Sequence, residues 1–243
     1  MDWLNAVAAF LPPPLPWVAA SLLIYVLTAQ LVWLSRTWRG WDSLYGRAAR
    51  QVGRFAFYVG IPYLALGGWP RPPYRGDLAP ADLGLVGLNA DWPPSRWLGA
   101  VGLGVSLGLA AGAVLALAWR SARRAPGGAA LSFAPRPWWE VGVGVLYAQV
   151  HWAFYRGALA LAWGNPYAGV FGGLVPVLVE WALDPRWRWG WRQAGIAAEQ
   201  WLRAALLLVT ALLFLLTRNG WVCLAVHLLI ESAFRLVSDS HSR

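Results

Sequence analysis

Apolar runs constrain this chain before anything else does. Several stretches of about 20 residues carry almost no charge, which is the length an α-helix needs to cross a bilayer core of roughly 30 Å. They fall at residues 15–35, 52–68, 97–119, 138–156, 167–183, 197–217 and 220–237, the second being short and containing Pro62. A soluble fold would have to hide all of them in one core. With 58% hydrophobic and 13% charged residues among 243, the composition lies outside the soluble range and excludes a soluble enzyme. The sequence therefore predicts an all-α, polytopic transmembrane helix bundle of about seven spans, a single integral membrane domain over residues 1–243. The first stretch, "MDWLNAVAAFLPPPLPW", lacks a basic n-region and a small-residue cleavage site, so it does not read as a signal peptide. Its prolines set residues 1–14 apart as an interfacial stub. Cys223 is the only cysteine and falls inside a span, which excludes an intramolecular disulfide.

Arginine supplies every cationic side chain other than histidine, because the sequence contains no lysine. Arg36, Arg39, Arg47, Arg50 and Arg54 follow the first span; Arg120, Arg123, Arg124 and Arg136 follow the third; Arg186, Arg188 and Arg192 follow the fifth. The intervening loops hold Arg71, Arg75, Arg96 and Arg218, the first three balanced by Asp77, Asp82 and Asp91. By the positive-inside rule the N-terminus is expected outside and the C-terminus inside. The net charge of +9 is thus laid out for topology and anionic headgroups, with the lipid bilayer as partner and no nucleic acid. The expected location is the cytoplasmic membrane, in a prokaryote. The 19 tryptophans agree, since indole favours the membrane interface, and "DPRWRWGWRQ" at 184–193 reads as an inner-face anchor. Gly104, Gly108 and Gly112 recur every four residues, spacing that lets two helices approach closely.

Ionisable groups at membrane depth cost roughly 2.5–3.5 kcal/mol when charged, so each needs a partner or a purpose. Four stand out: His151, Glu180, His227 and Glu231. His227 and Glu231 are four apart and share a helix face. Counted at 1.5 Å per residue, the two histidines fall at nearly the same depth. Two histidines with a carboxylate and water form a hydrolytic zinc arrangement, which makes zinc the expected cofactor. The alternative is internal pairing, with both histidines hydrogen-bonded, Glu231 meeting Arg156 or Arg235, and Glu180 meeting Arg186 or Arg188.

"HWAFYRG" at 151–157 resembles the first motif, EExxxR followed by glycine, of the CAAX protease and bacteriocin-processing family of intramembrane metalloproteases. His151 and Trp152 stand where its two glutamates belong, while Arg156 and Gly157 match. "NGWVCLAVHLLIES" resembles the third motif, with His227 matched and Glu231 in the asparagine position. "ADLGLVG" resembles the family's lead into the third span. The histidine of the second motif has no match, and "FGGLVPVLVEW" with Glu180 occupies its place. The resemblance covers about 82–237. It implies a membrane-embedded, metal-dependent endopeptidase in which His151, His227, Glu231 and Glu180 hold the metal. Glu231 or Glu180 would act as base, Arg156 would orient a carboxylate or a substrate carbonyl, and a membrane protein or peptide would be the substrate. Because glutamate and histidine are exchanged between motifs, it equally implies an inactive derivative, or a non-catalytic accessory or scaffold subunit of a larger membrane complex.

Overall fold

The computed structural model describes residues 15–37, 43–67, 92–125, 133 and 136–240. All regular structure among them is helical: α1 (Leu15–Leu34), α2 (Leu44–Phe55), a π-helical turn (Ala56–Gly60), α3 (Ile61–Gly67), α4 (Pro94–Arg124), α5 (Trp138–Trp163), α6 (Pro166–Gly172), α7 (Leu174–Leu183), α8 (Pro185–Gly190), α9 (Ala194–Thr217) and α10 (Gly220–Ser240). Five stretches are long and apolar enough to cross a membrane: Leu15–Leu34, Pro94–Arg124, Pro166–Leu183, Ala194–Thr217 and Gly220–Val237. They coincide with five of the seven expected spans. The expected span at 52–68 is divided by the π turn, and Gly68 lies outside the described residues. The one at 138–156 lies within α5, a helix of 26 residues whose apolar run is broken by Glu140, Gln149, His151 and Arg156. The stub at 1–14 and the "ADLGLVG" stretch fall outside the described residues.

The chain divides into two compact units. One comprises Met1–Leu85 and Val150–Arg188, the other Val86–Gln149 and Trp189–Arg243.

In the first unit, every residue from His151 to Ala160 is buried. Glycines let α6 and α7 pass close to this stretch. A Cβ on Gly169 would lie 2.6 Å from the Ala160 Cα, and one on Gly173 would lie 2.8 Å from the Arg156 Cα, so only glycine permits either crossing. α1 packs along α7 and α3. Tyr25 Oη donates to Asp184 Oδ2 at 3.0 Å, and the Gln30 amide donates to the Leu183 carbonyl at 3.0 Å. The last turns of α1 therefore run level with the C-terminal end of α7. Leu23, Leu27, Leu31 and Leu34 form an exposed apolar stripe on α1, a surface that suits lipid and would be a liability in water.

The π turn has an identifiable cause. Pro62 has no N–H to give to a carbonyl one turn earlier, and the Ile61 N–H reaches back five residues to Ala56 O. The widened turn brings the consecutive rings of Phe57 and Tyr58 against the same neighbour, His151.

In the second unit α4, α9 and α10 pack on one another. A Cβ on Gly104 would strike the Val222 side chain, and one on Gly108 would lie 3.2 Å from Val226 Cγ1. Two of the three spaced glycines thus serve the close approach of α4 and α10; Gly112 has nothing within 4 Å of its Cβ position. Arg218, left-handed at φ 53°, ends α9. Asn219 then caps α10 by accepting the Trp221 and Val222 amides at 2.9 and 3.1 Å. On the outer surface of α4, Leu98, Val101, Val105 and Leu109 are exposed.

Candidate functional site

The four expected site residues form two histidine–carboxylate pairs, one in each unit. In the first unit, His151 on α5 faces Glu180 on α7, its Nε2 lying 2.9 Å from Oε1 and 3.0 Å from Oε2. A carboxylate accepts, so Nε2–H donates and is shared between both oxygens. One helical turn after His151, on the same face, Tyr155 donates its hydroxyl to Glu180 Oε1 at 2.5 Å. That proton is committed, so the Ser21 hydroxyl on α1, 3.1 Å away, donates to the Tyr155 oxygen. The result is a four-residue chain tying α1, α5 and α7, each member at most 2% exposed. Three rings surround the imidazole, with centroids of Phe57 at 4.9 Å, Tyr58 at 5.1 Å and Tyr155 at 4.5 Å. Arg156, also 2% exposed, sits at the crossing of Gly173 over α5.

In the second unit, the Gln149 amide nitrogen lies 2.8 Å from His227 Nδ1. An amide N–H donates, so Nδ1 accepts and the ring proton sits on Nε2, which points to Glu231 Oε2 at 3.3 Å. Arg235, one turn beyond Glu231, gives Nε and one terminal nitrogen to Glu231 Oε1 at 3.2 and 2.8 Å. Its other terminal nitrogen lies 3.7 Å from Glu199 on α9, and Glu199 accepts from Arg136 at 2.7 Å. Glu199, Leu202, Arg203, Glu231 and Arg235 line a small polar cleft on this chain of contacts. Burial pulls the Arg136 guanidinium below its ordinary value, against the opposing pull of Glu199.

Of the internal pairings expected from sequence, Glu231 with Arg235 is present. Glu180 takes His151, and Arg186 is engaged by Asp184. Among the described residues, no group of three or more His, Cys, Asp or Glu is arranged to hold a metal ion. Sequence reasoning missed Ser21, Tyr155, Gln149 and Glu199. Only Tyr155 carried a local signal, its i+4 spacing from His151; the others are brought in by packing.

Asp184, just past the end of α7, accepts the Arg186 backbone N–H at 2.8 Å, the Arg186 guanidinium at 3.1 and 2.9 Å, and the Tyr25 hydroxyl. Burial pushes its carboxyl up, but the hydrogen bond and charge of Arg186 outweigh this and hold it below the ordinary 3.8. A depressed carboxylate contributes stability that is present above its ordinary value and lost as pH falls through the folded one. Asp184→Asn is therefore expected to lower the melting temperature of the purified protein at pH 7, with the gap to wild type closing on acidification below about pH 4. Melting curves of both proteins from pH 7 to pH 3 check this, and a gap independent of pH would contradict it.

Comparison with family models, with curated proteins and with solved structures returns no match to this chain.

Proposed function

We propose that this chain is a non-catalytic subunit of a membrane complex, built on a bundle resembling the CAAX protease and bacteriocin-processing family. Its rewritten motif residues hold helices together instead of cleaving peptides. In this reading the expected span at 52–68, together with α5, completes seven spans, with the N-terminus outside and the C-terminus inside, in a prokaryotic cytoplasmic membrane. One observation carries the proposal: all four carboxylate oxygens of Glu180 and Glu231 lie against donors from the protein itself. A hydrolytic base must have a carboxylate oxygen within reach of a water proton, and a zinc ligand must offer a lone pair to the metal. Here those lone pairs face His151, Tyr155, His227 and Arg235. The exchange of glutamate and histidine between motifs supports the same reading, because it retains a complementary pair while removing the glutamates from the first motif.

The test is genetic. Replacing both His151 and Glu180 by leucine removes the pair but leaves no buried charge alone, a change that is often neutral or stabilising. A cell carrying only this double variant is expected to behave like wild type if the pair is structural. A double variant that accumulates, melts like wild type and still behaves like a deletion would overturn the proposal.

A further inference from the structure

In the second unit, Arg203 shares one face of α9 with Leu207, Thr210 and Phe214, because helical residues at such spacing line up. Those three are at most 3% exposed, whereas Arg203 is exposed. The face that neighbouring helices close higher up is therefore open at the level of Arg203. What opens there is the polar cleft lined by Glu199, Leu202, Arg203, Glu231 and Arg235.

Charge in this cleft is unbalanced. Glu231 faces Arg235 with one oxygen and His227 with the other, while Glu199 faces Arg136 and Arg235. Three guanidiniums thus meet two carboxylates, and Arg203 is the one left over, with no hydrogen-bond partner among the described residues. The segment joining α4 to α5, residues 125–137, contains no acidic residue that could supply one. Arg136, outside the spans, registers the excess. Burial pulls its guanidinium below the ordinary value, Glu199 opposes, and the charges of Arg235 and Arg203 add to the downward pull. A guanidinium presents a planar fork of donors that matches the oxygens of a phosphate or carboxylate, so the leftover group suits a monoanion.

Position decides which anion. Arg235 lies two residues before the end of the apolar stretch Gly220–Val237. On α9, Trp201 is 66% exposed and meets the exposed ring of Trp191 at 5.3 Å. Exposed indoles at the end of apolar spans mark the membrane interface, and basic pockets between spans at that level take lipid headgroups. The enclosed part of the cleft has room for about one water-sized group, so a ligand can place a phosphate oxygen inside while its remainder stays in the membrane. A phosphodiester carries a single negative charge, which equals the excess.

We propose that this cleft is a binding site for the phosphate of an anionic phospholipid headgroup, held by Arg203 beside the α9 and α10 ion pairs. The site rests on the pairing of Glu199 and Glu231 within the protein and holds whether or not this chain cleaves peptides.

The test is native mass spectrometry of the full chain, incubated in detergent with phosphatidylglycerol or with phosphatidylcholine of the same acyl chains. A single retained phosphatidylglycerol is expected, in preference to phosphatidylcholine. Arg203→Gln loses a charge-assisted contact and should weaken retention at least about tenfold. Arg203→Lys keeps the charge without the fork and should fall between the two. Neither substitution removes a hydrogen bond from the protein, so both variants are expected to melt like wild type. Arg192→Gln removes an equal charge from an exposed position just before α9 and is expected to retain the lipid like wild type. Equal retention of both lipids would overturn the proposal. So would equal losses in Arg192→Gln and Arg203→Gln, which would show attraction to the surface as a whole. Displacement of the lipid by millimolar inorganic phosphate would assign the cleft to a free anion and overturn the lipid as its occupant.

Discussion

Glu180→Ala is expected to lower the unfolding free energy by about 2–6 kcal/mol, because two buried donors lose their acceptor at about 1–3 kcal/mol each. The carboxylate is the hub of the first unit: it takes His151 through both oxygens and Tyr155 through one. Removing it strands the histidine Nε2–H and the tyrosine hydroxyl away from water. It also loosens Ser21, whose own partner is that tyrosine. Tyr155→Phe removes a single donor and should cost only about 1–2 kcal/mol. Titration with SDS in mixed micelles, followed by tryptophan fluorescence, would read both values. Equal effects would show that the carboxylate is not the hub.

The second large effect is expected at Arg235. Its guanidinium makes two contacts to Glu231, reaches Glu199, and lies 5.6 Å from the Phe133 ring. Arg235→Met keeps much of the side-chain volume while leaving Glu231 with His227 and Glu199 with Arg136. The pair is slightly open to solvent, 11% and 13% exposed, so the cost is set at about 2–3 kcal/mol, below the fully buried case. Arg235→Lys supplies charge but not a planar fork that can address two carboxylates, and should recover roughly half of the loss. The same unfolding assay checks the order Arg, Lys, Met from most to least stable. A methionine variant as stable as wild type would make these contacts energetically idle.

Much of the architecture could be read from the sequence because the bilayer imposes a length on apolar helices that any core would not. Leu15–Leu34, Pro94–Arg124 and the three later spans are uninterrupted enough to register by hydropathy alone. α5 is harder to read because it carries buried Gln149, His151 and Arg156; the first two meet α10 and α7 only once the helices are packed. The break around the π turn follows from the donor that Pro62 lacks, yet its outcome, two rings on one imidazole, depends on where α5 passes. At the candidate site, the His227 and Glu231 contact was legible because i, i+4 spacing is local. The His151 and Glu180 contact joins residues 29 apart through the glycine crossings of α6 and α7. No periodicity announces such a crossing. The sequence puts the two residues in different helices, and their contact emerges only when those helices are packed.

The central claim, that the polar residues at membrane depth hold the bundle together, is tested most directly by a double-mutant cycle on His151 and Glu180 in lipid. Ordinary hydrogen bonds between transmembrane helices average about 0.6 kcal/mol by such cycles. With each residue replaced singly and together by leucine, this pair is expected to show a coupling of about 2 kcal/mol or more, within the range for residues sharing one network. A coupling near zero, with each single variant folding as well as wild type, would contradict the account and return His151 and Glu180 to a chemical role.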